Sequence, residues 1–102
     1  MSLKKQFLKS KPVCKVTFTL EAELVDGGKQ VALLGEFNNW DPAESSMRKL
    51  KDGSFTKTLD LEVGHNYQFR YLVDGDRWVN DKEADQYTRS TVPGQQNCVV
   101  EL

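Results

Sequence analysis

The sequence predicts an all-β fold of two antiparallel sheets, and three observations carry that prediction. Apolar and polar residues alternate with period two along most of the chain, the signature of half-buried strands. Turn-forming residues recur about every 8–12 positions, the spacing of a sandwich or small barrel. No stretch of about 11 residues shows the apolar recurrence of an amphipathic helix.

Cys14, Val16, Phe18 and Leu20 alternate with Lys15, Thr17, Thr19 and Glu21, a half-buried strand. Val25-Asp26-Gly27-Gly28-Lys29 turns the chain, since its glycines accept positive φ. Gln30 to Phe37 forms a second strand, whose run Val31-Ala32-Leu33-Leu34 implies cover on both faces. Phe37-Asn38-Asn39-Trp40-Asp41-Pro42 breaks it. Met47 to Leu50 reads as a short strand and Lys51-Asp52-Gly53-Ser54 as a hairpin loop.

Phe55, Lys57, Leu59 and Leu61 share one phase of the next strand, which Val63-Gly64 ends. Tyr67, Phe69, Tyr71 and Val73 alternate with Gln68, Arg70 and Leu72, the clearest strand of all, and Asp74-Gly75-Asp76 turns it. Arg77, Trp78 and Val79 return briefly. Asn80 to Gln96 is polar, contains Pro93-Gly94 and reads as a long loop. Cys98, Val100 and Leu102 share a face of the closing strand. Seven or so short strands in this order make an immunoglobulin-like antiparallel β-sandwich the expected architecture. A basic arm over residues 1–12 and one domain over 13–102 are the expected organisation.

The chain of 102 residues is one domain's worth, and 38% hydrophobic with 28% charged residues is ordinary for a globular protein. No apolar run is long enough to span a bilayer. No apolar stretch of signal-peptide length follows Lys4 and Lys5, so a cytoplasmic location is expected. Net charge is −1, which draws the chain to neither nucleic acid nor anionic membrane. Residues 1–20 nevertheless carry Lys4, Lys5, Lys9, Lys11 and Lys15, read as a solvated face. Cys14 and Cys98 stand in the apolar phase of their strands and are expected as buried free thiols.

Catalytic constellations are missing from the pattern. His65, the single histidine, follows Gly64 in a turn, with no Ser or Cys nucleophile and second base to work with. One histidine and two distant cysteines cannot make a zinc site. The carboxylates Asp74 and Asp76, and Asp81, Glu83 and Asp85, match no known order of calcium ligands and read as turn residues. Neither an enzyme nor a cofactor is expected. Trp40 and Trp78 stand apart, because each follows a polar turn instead of an apolar alternation. An indole left in water exposes a wide apolar face suited to the C–H face of a pyranose ring, although either ring could equally cap the core.

The motifs G-x-F-N-x-W, here within Val31-Ala32-Leu33-Leu34-Gly35-Glu36-Phe37-Asn38-Asn39-Trp40, and Y-x-F-x-x-x-V-D-G, here Tyr67-Gln68-Phe69-Arg70-Tyr71-Leu72-Val73-Asp74-Gly75 followed by Trp78, resemble carbohydrate-binding module family 48. That family includes the glycogen-binding domain of the AMP-activated protein kinase β subunit and the N-terminal early-set domains of isoamylases. The resemblance covers residues 13–102 and implies a non-catalytic module for glycogen, starch or maltodextrin. By the same resemblance Trp40 and Trp78 are the sugar platform. Arg70 stands where the kinase domain has lysine, and Asn97, with Gln96 as rival, at the family's asparagine. Val92 or Pro93 is nearest to the loop leucine that wraps the ring. Lys57 is a further candidate if it faces the same side. The alternative is an interaction or regulatory module that keeps the fold without the sugar and acts on a glucan-metabolising enzyme or a kinase in trans, with Phe7, Leu8 and the lysines as docking segment.

Overall fold

A computed structural model describes residues 3–41, 46–89 and 96–102. Among them, nine strands form two antiparallel sheets. The first sheet has the order β1-β2-β5-β4, from Leu3–Phe7, Val13–Leu20, Phe55–Glu62 and Arg48–Lys49. The second has the order β3-β6-β9-β8, from Val31–Gly35, Asn66–Val73, Gln96–Glu101 and Gln86–Arg89, with β7 (Arg77–Val79) paired to β6. This is the all-β sandwich expected from the alternation.

The core lies between the sheets and is set by strand phase. Cys14, Val16, Phe18 and Leu20 of β2 face Phe69, Tyr71 and Val73 of β6, and all are buried. Phe18 and Phe69 meet edge-on with centroids 5.1 Å apart, and Phe69 and Tyr71 do so at 5.8 Å, the geometry that ring quadrupoles favour. The double cover expected for β3 is present. Leu33 pairs with Tyr71 and belongs to the core, whereas Leu34 pairs with Arg70 on the outer phase and is buried as well.

Four features depart from the reading of the sequence. Leu3–Phe7, expected within a solvated arm, pairs along β2 as an edge strand with Leu3 in the core. One buried side chain gave no alternation to read, and edge lysines are how exposed strands avoid further pairing. The expected loop over Asn80–Gln96 contains β8, whose four residues show no apolar phase and are held by pairing to β9. Ala22–Val25 forms one helical turn, α1, too short to give a period and ended by Asp26 in the left-handed region at φ 49°. The strand expected to run to Phe37 ends at Gly35, where Glu36–Asn38 form a 3₁₀ turn.

Candidate functional site

The outer face of the five-stranded sheet gathers most of the singled-out residues. Since Tyr67, Phe69, Tyr71 and Val73 point inward, Gln68, Arg70 and Leu72 point outward. Register sets Trp78 beside Leu72 and Val99 beside Gln68. Arg70 Cζ lies 5.2 Å from the centroid of the Trp78 ring, a cation–π arrangement. Arg70 Nε donates to Asn80 Oδ1 at 2.7 Å, and Asn80 Nδ2 donates to the Gln96 carbonyl at 3.0 Å. Asn97 Nδ2 donates to Gln68 Oε1 at 3.0 Å. Trp78 remains 42% exposed. Partial burial lowers the Arg70 pKa below its usual value, with Cys98 opposing; a guanidinium nonetheless stays cationic at neutral pH.

Asn97 itself is buried, and Gln96 is exposed. The asparagine therefore meets the face through an amide already engaged with Gln68. Lys57 is not part of this group. It stands on β5 in the other sheet, opposite Phe18, and its ammonium donates to the Ser46 carbonyl at 3.2 Å. Its phase in β5 is that of Phe55 and Leu61, which points inward. Val92 and Pro93 lie outside the described residues.

The G-x-F-N-x-W segment resolves into scaffold and one remaining ring. A Cβ at Gly35 would lie 2.6 Å from Phe37 Cζ and 2.7 Å from the Gln68 carbonyl oxygen, so only glycine fits. Phe37 plugs the core beside Phe18 at 5.6 Å. Asn38 closes the turn, accepting from Gly35 N–H at 3.1 Å and donating to the Leu33 carbonyl at 2.9 Å. Glu36 accepts from Gln68 N–H at 2.7 Å. Trp40 follows, half-buried, with φ at 57° and its N–H bonded to the Gly35 carbonyl at 2.9 Å. A bulky residue in the left-handed region is a strained conformation of the kind that clusters at functional sites. Gly35, where that turn begins, pairs with Phe69 and Trp78 with Leu72, so the start of the turn and Trp78 lie on opposite sides of β6, about 10 Å apart along it.

Asp74 of the second motif is likewise structural. Its Oδ1 accepts from the N–H groups of Lys29 and Gln30, both at 2.9 Å, which stitches the β6–β7 turn to the start of β3. Those two bonds hold its carboxyl below the usual range.

Trp78 sits on a three-residue strand fastened at both ends. Arg77 donates to the carbonyls of Leu24 and Val25 at the end of α1. On the other side Asp81 is only 1% exposed. It accepts from Tyr71 Oη at 3.0 Å and from Glu83 N–H at 2.8 Å, while its own N–H points to Cys98 Sγ at 3.1 Å. Tyr87 donates to its carbonyl, and Lys82 pairs with Glu21 at 2.8 Å and Glu23 at 3.0 Å. The sequence reads Asp81 as a turn carboxylate, whereas the structure buries it as a structural residue. The available signal was phase, since Val79 and Asp81 continue the inward positions that flank Trp78 and Asn80. Asp85 turns away to Lys5 at 2.6 Å. Both cysteines are free and buried, as expected, and burial pushes the Cys98 thiol up to about 11 against the pull of the Asp81 N–H.

A family profile described as "Glycogen recognition site of AMP-activated protein kinase" matches residues 17–102. Among similar proteins, the 5'-AMP-activated protein kinase subunit beta-2 of Homo sapiens is 39% identical over 56 residues, covering 55% of this chain and 19% of that protein. Subunit beta-1 of Sus scrofa is 40% identical over 55 residues, 54% of this chain and 41% of that protein. Subunit beta-1 of Bos taurus is 33% identical over 76 residues, 74% of this chain and 26% of that protein. The aligned part is thus less than half the length of each of these relatives. The chain belongs to the family of glycogen recognition sites of AMP-activated protein kinase.

Proposed function

We propose that this member of the glycogen-recognition family is a non-catalytic α-glucan-binding module that engages glycogen-, starch- or maltodextrin-like chains on the open face of its five-stranded sheet. Trp78 stacks on one glucose ring and Trp40 on another, Arg70 donates to hydroxyls, and Asn97 with Gln68 reads a neighbouring one. The observation that carries the reading is the Trp78 indole, 42% exposed yet backed by the Arg70 guanidinium. An indole placed to cap the core would be turned inward instead. Stacking against a pyranose buries apolar area at roughly 25 cal/mol per Å², on the order of 1–2 kcal/mol per sugar.

Two such contacts and a few hydroxyl hydrogen bonds, less the cost of ordering the glucan, correspond to affinities of about millimolar to about ten micromolar. Titration with glycogen and maltoheptaose, comparing the parent with Trp78→Ala, tests this. Loss of the ring is expected to weaken binding about tenfold or more and leave the melting temperature nearly unchanged. A parent blind to both glucans at millimolar chain concentration would contradict the reading and favour the alternative, a regulatory module of the same fold. In either case the natural setting is a larger assembly in which a kinase or glucan-active enzyme is the partner in trans. Two free buried thiols accord with a cytoplasmic setting. Among the described residues, no helix is long and apolar enough to cross a membrane.

A further inference from the structure

Two polar contacts of the outer face meet at Asn80, a residue with no part in the reading above. Its Oδ1 holds Arg70 Nε at 2.7 Å and its Nδ2 reaches the Gln96 carbonyl on β9 at 3.0 Å. The guanidinium gripped in this way has its Cζ 5.2 Å from the centre of the Trp78 ring. Because a guanidinium is planar, a bond at Nε restricts the directions in which the plane can lie. Trp78 and Asn80 share one strand phase, so ring, cation and amide stand side by side, tied through Gln96 to the neighbouring strand. The asparagine backbone is anchored in turn by the next residue, the buried Asp81 with its bonds to Tyr71 and Glu83.

We propose that Asn80 is a positioning residue of the glucan site, clamping Arg70 against one side of the Trp78 indole so that the ring meets sugar in a single orientation. The proposal rests on the glucan-binding reading of this face. Arginine is among the side chains with most rotamer freedom, and freedom left in the unbound protein must be given up on binding. Asn80 removes that cost beforehand without touching the sugar.

The test uses maltoheptaose titration of the whole chain, together with acrylamide quenching of Trp78 in a Trp40→Phe background, where it is the one tryptophan left. Asn80→Ala is expected to weaken maltoheptaose about fivefold, the scale of loosening one long side chain, and to make Trp78 more quenchable, with little change in melting temperature. Asn80→Asp, which keeps the acceptor for Nε, is expected to restore both. If Asn80→Ala does not fold, Asn80→Ser shortens the side chain out of reach of Nε and gives the same readouts. Should Trp78→Ala bind weakly while the shortened Asn80 variants bind as the parent does, Asn80 has no positioning role and the glucan reading stands. Failure of Asn80→Asp to restore either readout would likewise overturn the clamp. A parent that ignores maltoheptaose, or a Trp78→Ala protein that binds as well as the parent, overturns the clamp together with the glucan reading.

Discussion

Trp40 and Trp78 are the two rings that the sequence singles out, and their backbones treat them differently. Trp78 lies in an ordinary strand, held by its neighbours' side chains. Trp40 sits half-buried at φ 57° directly after Asn39 at φ 56°, so the chain accepts a conformation that costs an L-residue about 1–2 kcal/mol. Replacement at Trp40 therefore separates ring from backbone. Trp40→Ala and Trp40→Gly remove the same indole, but only glycine relieves the left-handed geometry. Both are expected to lose glucan affinity to the same extent, with Trp40→Gly about 1 kcal/mol more stable than Trp40→Ala in urea unfolding. A loss of about 3–5 kcal/mol in both would instead mark the ring as part of the core, and the proposed platform would then reduce to Trp78.

Where β3 passes into the 3₁₀ turn, Gly35, Phe37 and Asn38 settle the geometry of one motif. Gly35 has extended backbone, φ −170°, so its requirement is space and not conformation. A methyl there meets both the Phe37 ring and the Gln68 carbonyl, the second of which belongs to a paired strand and cannot step aside. Gly35→Ala is expected to cost about 1–3 kcal/mol in denaturant unfolding, as overpacking does. Trimming Phe37 in the same chain should recover part of that cost and not all of it, because the carbonyl remains; full recovery would show that the ring alone resists. This element also shows what sequence can carry. The alternation of β2, β5 and β6 was legible because each strand has one buried and one wet face, and register then places Arg70 and Trp78 together. β1 and β8 were illegible because edge strands bury too little to leave a phase, their places being set by partners far along the chain. Lys57 illustrates the converse failure. Its phase could be read, but which sheet it joins is decided by pairing with β2, and that sheet is not the one that bears Arg70.

At the scale of the whole molecule, the face that carries Trp78 and the centre of the sandwich are joined through Asp81. Tyr71 and Cys98, from adjacent strands of one sheet, both meet this buried residue, which leads directly into Asn80. Burial raises the pKa of each, Cys98 from 9.0 to about 11 and Tyr71 well above 10.0, with the Asp81 charge adding to both shifts. An acid whose folded pKa is raised favours the fold while it is neutral. Its contribution is complete below the unfolded pKa and disappears as pH climbs through the folded one. For Cys98 that window runs from pH 9.0 to about 11, and two units correspond to on the order of 2–3 kcal/mol. Stability is therefore expected to fall steeply from pH 9 upward. Cys98→Ala should start less stable at pH 8, for want of the sulfur's packing, and then lose about 2–3 kcal/mol less than the parent by pH 11. Ionising groups remote from Cys98 act in both proteins and cancel in the comparison, whereas the Tyr71 shift, to which Cys98 contributes, becomes smaller in the variant and changes its loss in the same direction. Urea unfolding of parent and variant across this range is the measurement, and parallel curves would show that the thiol does not control the alkaline limit. Since the same network fastens the strand that carries Trp78, glucan binding should decline at the pH where this core begins to loosen. That pH lies well below any loss of charge at Arg70, whose guanidinium remains a cation throughout the range.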